Sequence, residues 1–233
     1  MKLAACSKTY GKRTVLRCPE LELSPGQICA VVGPNGSGKS TYARLAAGAA
    51  APDSGAKITD GSVAVRYMPQ KSFPFRMSVE KNLLLTGGDE AKASELMETL
   101  RLTHLRRQRA GSLSGGETAK MSLARVLMRP CELLILDEPT AAMDMESAIA
   151  AEKLIERYRD ECGCAVLLVT HDLHQARRMA EEALFFYQGE LCESGRAETV
   201  LFRPEREDTR RFLHFYGGAA AEKEPPVRSA PAP

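Results

Sequence analysis

One short run constrains this chain more than any other. Gly33-Pro34-Asn35-Gly36-Ser37-Gly38-Lys39-Ser40 fits the pattern G-x-x-x-x-G-K-[ST]. Before it stands Ile28-Cys29-Ala30-Val31-Val32, a continuous apolar run of the kind a central strand shows when both faces are covered. After it, Lys39 to Ala47 reads as a helix ending near Gly48. Strand, glycine-rich turn and helix in that order make an anion site. Glycines let the backbone curl so that successive N–H groups point inward. The helix turns the positive end of its dipole to the same place. On this reading Lys39 reaches the β- and γ-phosphates, the Ser40 hydroxyl ligates Mg²⁺ and Thr41 bonds the α-phosphate.

The rest of the chain predicts a sheet that continues this unit. Val15-Leu16 and Leu21-Glu22-Leu23 read as short extended segments, and Ser24-Pro25-Gly26 as a turn. Pro52 to Gly61 is turn-rich, and Val63 to Met68 reads as a strand. From Ser78 to about Arg109 apolar residues recur at helical spacing, with Gly87-Gly88-Asp89 between two helices. Helices are expected over Ala119–Met128, Ser147–Arg159 and Gln175–Glu182, buried strands over Leu133–Leu136 and Ala165–Val169, and a hairpin over Ala183–Leu191. The alternation predicts an α/β fold with a mainly parallel core sheet. Gly217 to Pro233 is rich in Ala, Pro and charge, and is expected to be disordered.

A second site lies at Leu133-Leu134-Ile135-Leu136-Asp137-Glu138. A buried strand that ends in adjacent carboxylates places them at the carboxyl edge of the sheet, where open α/β folds bind ligands. Asp137 is expected to hold Mg²⁺, directly or through water. Glu138, one step along the pleat, is expected to face the other way and polarise an attacking water.

Composition removes several classes. Thirty-two basic residues against thirty acidic ones give a net charge of +2, so nothing global favours nucleic acid or an anionic membrane. Trp is absent and aromatics are 6%, which disfavours a base-stacking surface. No apolar run approaches the ~18–20 residues of a spanning helix. The N-terminus lacks the apolar core of a secretion signal. Seven scattered cysteines without a CxxC pair read as free thiols of a reducing compartment.

Between the two sites lies Leu113-Ser114-Gly115-Gly116-Glu117. A phosphate loop, then L-S-G-G-x, then an apolar strand ending in Asp-Glu resembles the ATP-binding subunits of ABC transporters, from about Lys2 to Gly217. The resemblance implies the ABC ATPase fold over residues 1–216, a P-loop NTPase core with an N-terminal antiparallel β portion and a helical subdomain at about 72–125. It implies ATP and Mg²⁺ as cofactors. It also implies that Tyr10 stacks on adenine, that Gln70 contacts Mg²⁺ and water, that Asp144 belongs to the loop crossing a dimer interface, and that His171 is the switch histidine near the γ-phosphate. Two copies would pair head to tail, with Ser114 and the N–H groups of Gly115 and Gly116 covering the nucleotide of the partner. Read without the family, Ser114 is a helix N-cap.

Departures from the family pattern are mild. Glu117 stands for the commoner glutamine, Lys120 near a usual arginine, Ala141 for a serine, and Tyr42 is bulky for the first helix. The resemblance implies transmembrane permease subunits as partners, docked near Phe73, Phe75 and Met77. It also implies a second ATPase subunit, an extracytoplasmic substrate-binding protein, and a peripheral place on the cytoplasmic face of the cell membrane. A chain without its own membrane domain looks like an importer subunit. Gln175–Arg178, Phe185–Leu191 and Asp208–Leu213 look most like subunits importing phosphate or tungstate, with polar amino-acid importers or a soluble ABC-type ATPase as alternatives.

Overall fold

A computed structural model describes residues 1–55, 59 and 62–217. Four strands open it: β1 (Lys2–Leu3), β2 (Cys6–Tyr10), β3 (Arg13–Cys18) and β4 (Leu21–Glu22). Then come β5 (Ile28–Val32), α1 (Lys39–Ala46), β6 (Ser54–Gly55) and β7 (Val65–Met68). A helical stretch follows, with α2 (Val79–Leu84), α3 (Glu90–Thr99) and α4 (Gly115–Val126). The chain returns to the sheet as β8 (Leu133–Asp137), α5 (Met145–Cys162), β9 (Ala165–Val169) and α6 (Leu173–Met179). It closes with β10 (Glu182–Tyr187), β11 (Glu190–Arg196), α7 (Ala197–Phe202) and α8 (Glu207–Gly217).

β1 and β4 pair separately, and nine strands form one sheet in the order β6-β2-β3-β11-β10-β5-β9-β8-β7. From β10 to β7 all neighbours are parallel. The N-terminal strands pair antiparallel and join the core through the β10–β11 hairpin. Residues along β5 divide between two cores. Ile28, Ala30 and Val32 pack with the larger cluster, which takes in α2 to α6. Cys29 and Val31 pack with the cluster around Tyr42 and Ala43 of α1. Burial on both faces explains why this run shows no apolar–polar alternation. Tyr42 is fully buried, its ring 5.3 Å from that of Phe186, so its bulk fills the space between α1 and β10.

Several boundaries differ from the sequence expectation, and capping explains them. α4 begins at Gly115, not Ala119. Ser114 Oγ accepts from Glu117 N while the Glu117 carboxylate accepts from Ser114 N, a reciprocal box that starts the helix despite two glycines. α5 begins at Met145 because Asp144 caps it. α6 spans Leu173–Met179, not Gln175–Glu182. Asp172 accepts from His174 N and Gln175 N at its start, and Glu182 already opens β10. α7 and α8 were not expected as helices, and Gly217 is the buried end of α8 rather than the start of a tail. Residues 218–233 of that expected tail, and 56–58, 60 and 61 of the turn-rich stretch, lie outside the described residues.

All seven cysteines are free. Among the described residues no helix is long and apolar enough to cross a membrane.

Candidate active site

The glycine loop curls because three of its residues take backbone angles that favour glycine: Gly33 at φ +143°, Gly36 at +77° and Gly38 at +103°. Two of them also sit against other backbone. A Cβ on Gly33 would lie 2.1 Å from the Phe186 carbonyl oxygen, and one on Gly38 would lie 3.0 Å from the Val15 carbonyl oxygen. The turn of the β10–β11 hairpin seals the loop from the other side, with Gly189 N donating to Ser37 O at 3.1 Å. Ser37 is buried, and its hydroxyl has no partner among the described residues.

Lys39 is only 7% exposed. Its ammonium donates to the carbonyls of Gly33 and Pro34 at 2.8 and 2.9 Å, so the loop holds its own cation in place. Burial lowers the Lys39 pKa, against the opposing pull of Glu138 and Asp137. Ser40 Oγ donates to Asp137 Oδ1 at 3.1 Å. Burial raises the Asp137 pKa, Ser40 opposes that shift, and Glu138 adds to it. A hydroxyl and a carboxylate in contact at the foot of a phosphate loop are hard oxygen donors of the kind Mg²⁺ takes.

Glu138 does not lie on the pleat. β8 ends at Asp137, and Glu138 turns into the left-handed region at φ +55°. Its N–H donates to Val169 O at 2.9 Å, which ties it to the end of β9. The outcome resembles the expectation, since the carboxylate reaches the cavity, but a strained turn produces it rather than strand alternation. Glu138 Oε2 lies 2.7 Å from His171 Nδ1.

A cavity of about 600 Å³ opens above the loop. Tyr10, Asn35, Lys39, Ser40, Gln70 and Glu138 all line it, together with Gly36, Gly38 and Thr41. Tyr10 is half exposed at the end of the β2–β3 hairpin, with Lys8 Nζ 5.6 Å from its ring centroid. Gly33, Pro34 and Ser37 build the loop from behind. The sequence reading missed Arg13, Thr14, Arg44 and Gln188, which also line the cavity. Arg13 had a signal: it pairs with Tyr10 across the β2–β3 hairpin. Gln188 had none, because it arrives from the distant β10–β11 turn.

Ser114, Gly115 and Gly116 are not part of this cavity. Their segment packs instead on the loop after β8, where a Cβ on Gly116 would lie 2.9 Å from Ala142 O. A buried polar bridge holds that region together. Gln175 Nε2 donates to Thr140 Oγ1 at 2.8 Å and to Glu152 Oε1 at 3.1 Å, and Arg178 pairs with Glu152 at 2.7 Å. The segment after β7 is organised by buried Asn82, whose Oδ1 accepts from Phe75 N and whose Nδ2 donates to Phe75 O and Ser78 O. This leaves Phe73 and Phe75 exposed and Met77 half-buried, with Arg125 over the Phe75 ring at 5.3 Å.

Residues 16–141, more than half of the chain, match the ABC transporter family. The zinc import ATP-binding protein ZnuC of Yersinia enterocolitica is 38% identical over 221 residues, covering 93% of this chain and 85% of that protein. ZnuC of Chelativorans sp. is 38% identical over 214 residues, covering 90% and 73%. Among solved structures, an ATP binding subunit of an ABC transporter superposes with a TM-score of 0.77 at 23% identity, over 85% of this chain and 90% of that one. A bacterial Atm1-family exporter with ATP bound gives 0.81 at 23% identity, over 93% and 42%. At that identity the two structures speak for the fold alone. These relatives are named for zinc, and the inclination toward phosphate or tungstate finds no support in them. The stretches behind it are α6, the β10–β11 hairpin and α8, which build the fold and have no physical reason to encode a cargo.

Proposed function

This chain belongs to the ABC transporter family of ATP-binding proteins, an ATPase family using ATP and Mg²⁺, and on that premise we propose that it is the ATP-hydrolysing subunit of a solute importer. The observation that carries the reading is the convergence of Lys39, Ser40 and Glu138 on one cavity, with Asp137 hydrogen-bonded to Ser40 and His171 to Glu138.

The geometry supports the following roles. The loop N–H groups and Lys39 bind the phosphates of ATP. Ser40, Asp137 and Gln70 hold Mg²⁺, which supplies charge neutralisation at the phosphates when bound. Glu138 orients and polarises the attacking water, and His171 fixes the Glu138 carboxylate. Tyr10 offers its ring to the adenine. Ser114, Gly115 and Gly116 do not line the cavity of their own chain. Their role in our reading is therefore on a second copy, whose nucleotide they cover at the start of α4. Phe73 and Phe75 offer an exposed apolar surface suited to a permease subunit.

For the cargo we propose a divalent metal cation, zinc first, on the similarity to the zinc import proteins. An extracytoplasmic binding protein and a place at the inner face of the membrane belong to the same reading.

Hydrolysis measured against protein concentration, beside a Glu138→Gln variant, tests the proposal. Turnover per molecule that rises with concentration, with a variant that is inactive and dimerises in ATP, supports a composite site. A concentration-independent rate untouched by the variant overturns it. For the cargo, cells lacking the chain should lose uptake of radiolabelled Zn²⁺ and keep phosphate uptake; the reverse pattern overturns zinc.

A further inference from the structure

Arg177 stands in the last turn of α6 and is 7% exposed. Its Nε and Nη2 both donate to Leu201 O, at 3.2 and 3.0 Å, and its guanidinium lies 5.0 Å from the centroid of the Phe202 ring. Its Nη1 is buried and has no hydrogen-bond partner among the described residues. A guanidinium taken out of water with an open donor and no carboxylate is costly. Burial accordingly pulls its pKa down.

The same arginine lines a cavity of about 270 Å³ between α6, α7 and α8. Arg203, Arg210 and His214 also face this cavity, Phe202 and Leu213 supply hydrocarbon walls, and no carboxylate lines it. Arg210 is already committed, donating to Pro204 O and Glu205 O and lying 3.7 Å from Glu207. The Arg203 side chain has no hydrogen bond or ion pair among the described residues. None of these residues lines the nucleotide cavity, and His171 lies just before the opposite end of α6.

The chemistry of the lining selects a ligand. The uncommitted guanidinium fork of Arg203 matches a carboxylate in two parallel hydrogen bonds, and Arg177 adds the single open donor of Nη1. The volume falls below the ~300–1,000 Å³ of drug-sized pockets, so the ligand is small. Hydrocarbon walls favour an organic body over a bare inorganic ion. We propose that the cavity between α6, α7 and α8 is a binding site for a small organic carboxylate, held by Arg177 inside and by Arg203 and His214 at the mouth.

The full chain saturated with Mg²⁺ and ADP, so that anions cannot report through the phosphate loop, is titrated with benzoate, with neutral benzamide and with inorganic phosphate. NMR signals of the Leu201 and Leu213 methyls and of the Arg177 Nε–H report on the cavity. Benzoate should shift them saturably, benzamide should not, and phosphate should bind at least ~10-fold more weakly. Removing these two donors in the exposed double variant Arg203→Gln, His214→Gln should weaken benzoate by about 10-fold or more. Because both side chains are exposed, this variant leaves the fold intact where Arg177→Met could unfold it. Equal shifts from benzoate and benzamide, no saturable shift at these signals, or an unchanged affinity in the double variant would each overturn the proposal.

Discussion

His171 Nδ1 and Glu138 Oε2 meet at 2.7 Å across the ends of two neighbouring parallel strands. The Glu138 side chain is 8% exposed and that of His171 is 63% exposed, so a solvent-facing imidazole holds a buried carboxylate. A carboxylate accepts only, so Nδ1 carries the proton of this hydrogen bond. Glu138→Gln keeps the shape and removes the base; kcat for ATP should fall about 10²–10⁴-fold with ATP affinity little changed. His171→Ala should also lower kcat, because it frees the carboxylate from its partner. Phosphate release at saturating ATP measures both. An unaltered kcat in His171→Ala would reduce the pair to a structural contact.

Gly33 and Gly36 occupy the same loop but for different reasons. A methyl on Gly33 would meet the Phe186 carbonyl at 2.1 Å, and β10 cannot retreat because it is paired with β5. A methyl on Gly36 meets nothing within 4 Å and costs only the positive φ. Gly33→Ala is expected to lose at least ~3 kcal/mol, roughly 6–12 °C in Tm. Gly36→Ala should lose about 1–2 kcal/mol. Thermal unfolding decides, and equal losses would mean that the approach to Phe186 does not set the requirement at Gly33.

Much of this arrangement was legible because local pattern and global fold agree. Ile28–Val32, Leu133–Leu136 and Ala165–Val169 are apolar at every position since both sheet faces are covered, and all three are core strands. Where the reading erred, a long-range or backbone effect intervened. Nothing local shows that Glu138 takes φ +55°, because the turn depends on its bond to Val169 in the next strand. For α4 the two readings differed: apolar spacing put the helix at Ala119, while Ser114 as N-cap put its start at Gly115, and the cap sets it. Thr209, Phe212 and Leu213 are buried on one face of α8 at helical spacing, a signal present but hidden among charges. Gln188 reaches the cavity only through tertiary packing, which no single stretch of sequence carries, whereas Arg44 stands one turn after Ser40 on α1 and donates to its carbonyl.

Asp137 sets activity against stability. Burial raises its carboxyl pKa above the ordinary value. Folding therefore favours the protonated form, the ionised form costs stability above the folded pKa, and that cost is relieved as pH falls through it. Asp137→Asn removes the charge while keeping an oxygen to accept from Ser40. At neutral pH the variant should gain about 0.5–2 kcal/mol in the nucleotide-free state. The gain should shrink as pH falls through the raised carboxyl pKa toward the unfolded value. The same variant should lose Mg²⁺-dependent turnover. Unfolding curves at several pH values check the first part, and a variant less stable than the parent at pH 7 would contradict it.

Gln175 joins the two catalytic loops without touching the nucleotide cavity. It is 1% exposed and bridges Thr140, two residues after Glu138, to Glu152 on α5, and it lies four residues after His171. Gln175→Leu removes both hydrogen bonds and leaves Thr140 Oγ1 without this donor, at a cost of roughly 1–3 kcal/mol. The loops carrying Glu138 and His171 then lose their common strut, so kcat should fall while KM for ATP, set by the intact Lys39 loop, stays near the parent value. Ile155→Ala separates positioning from simple destabilisation. Ile155 is buried in α5 away from both loops, and its truncation should cost about 2–5 kcal/mol. At a temperature where both variants are folded, only Gln175→Leu should lose kcat. An equal loss in Ile155→Ala would assign the bridge to stability alone.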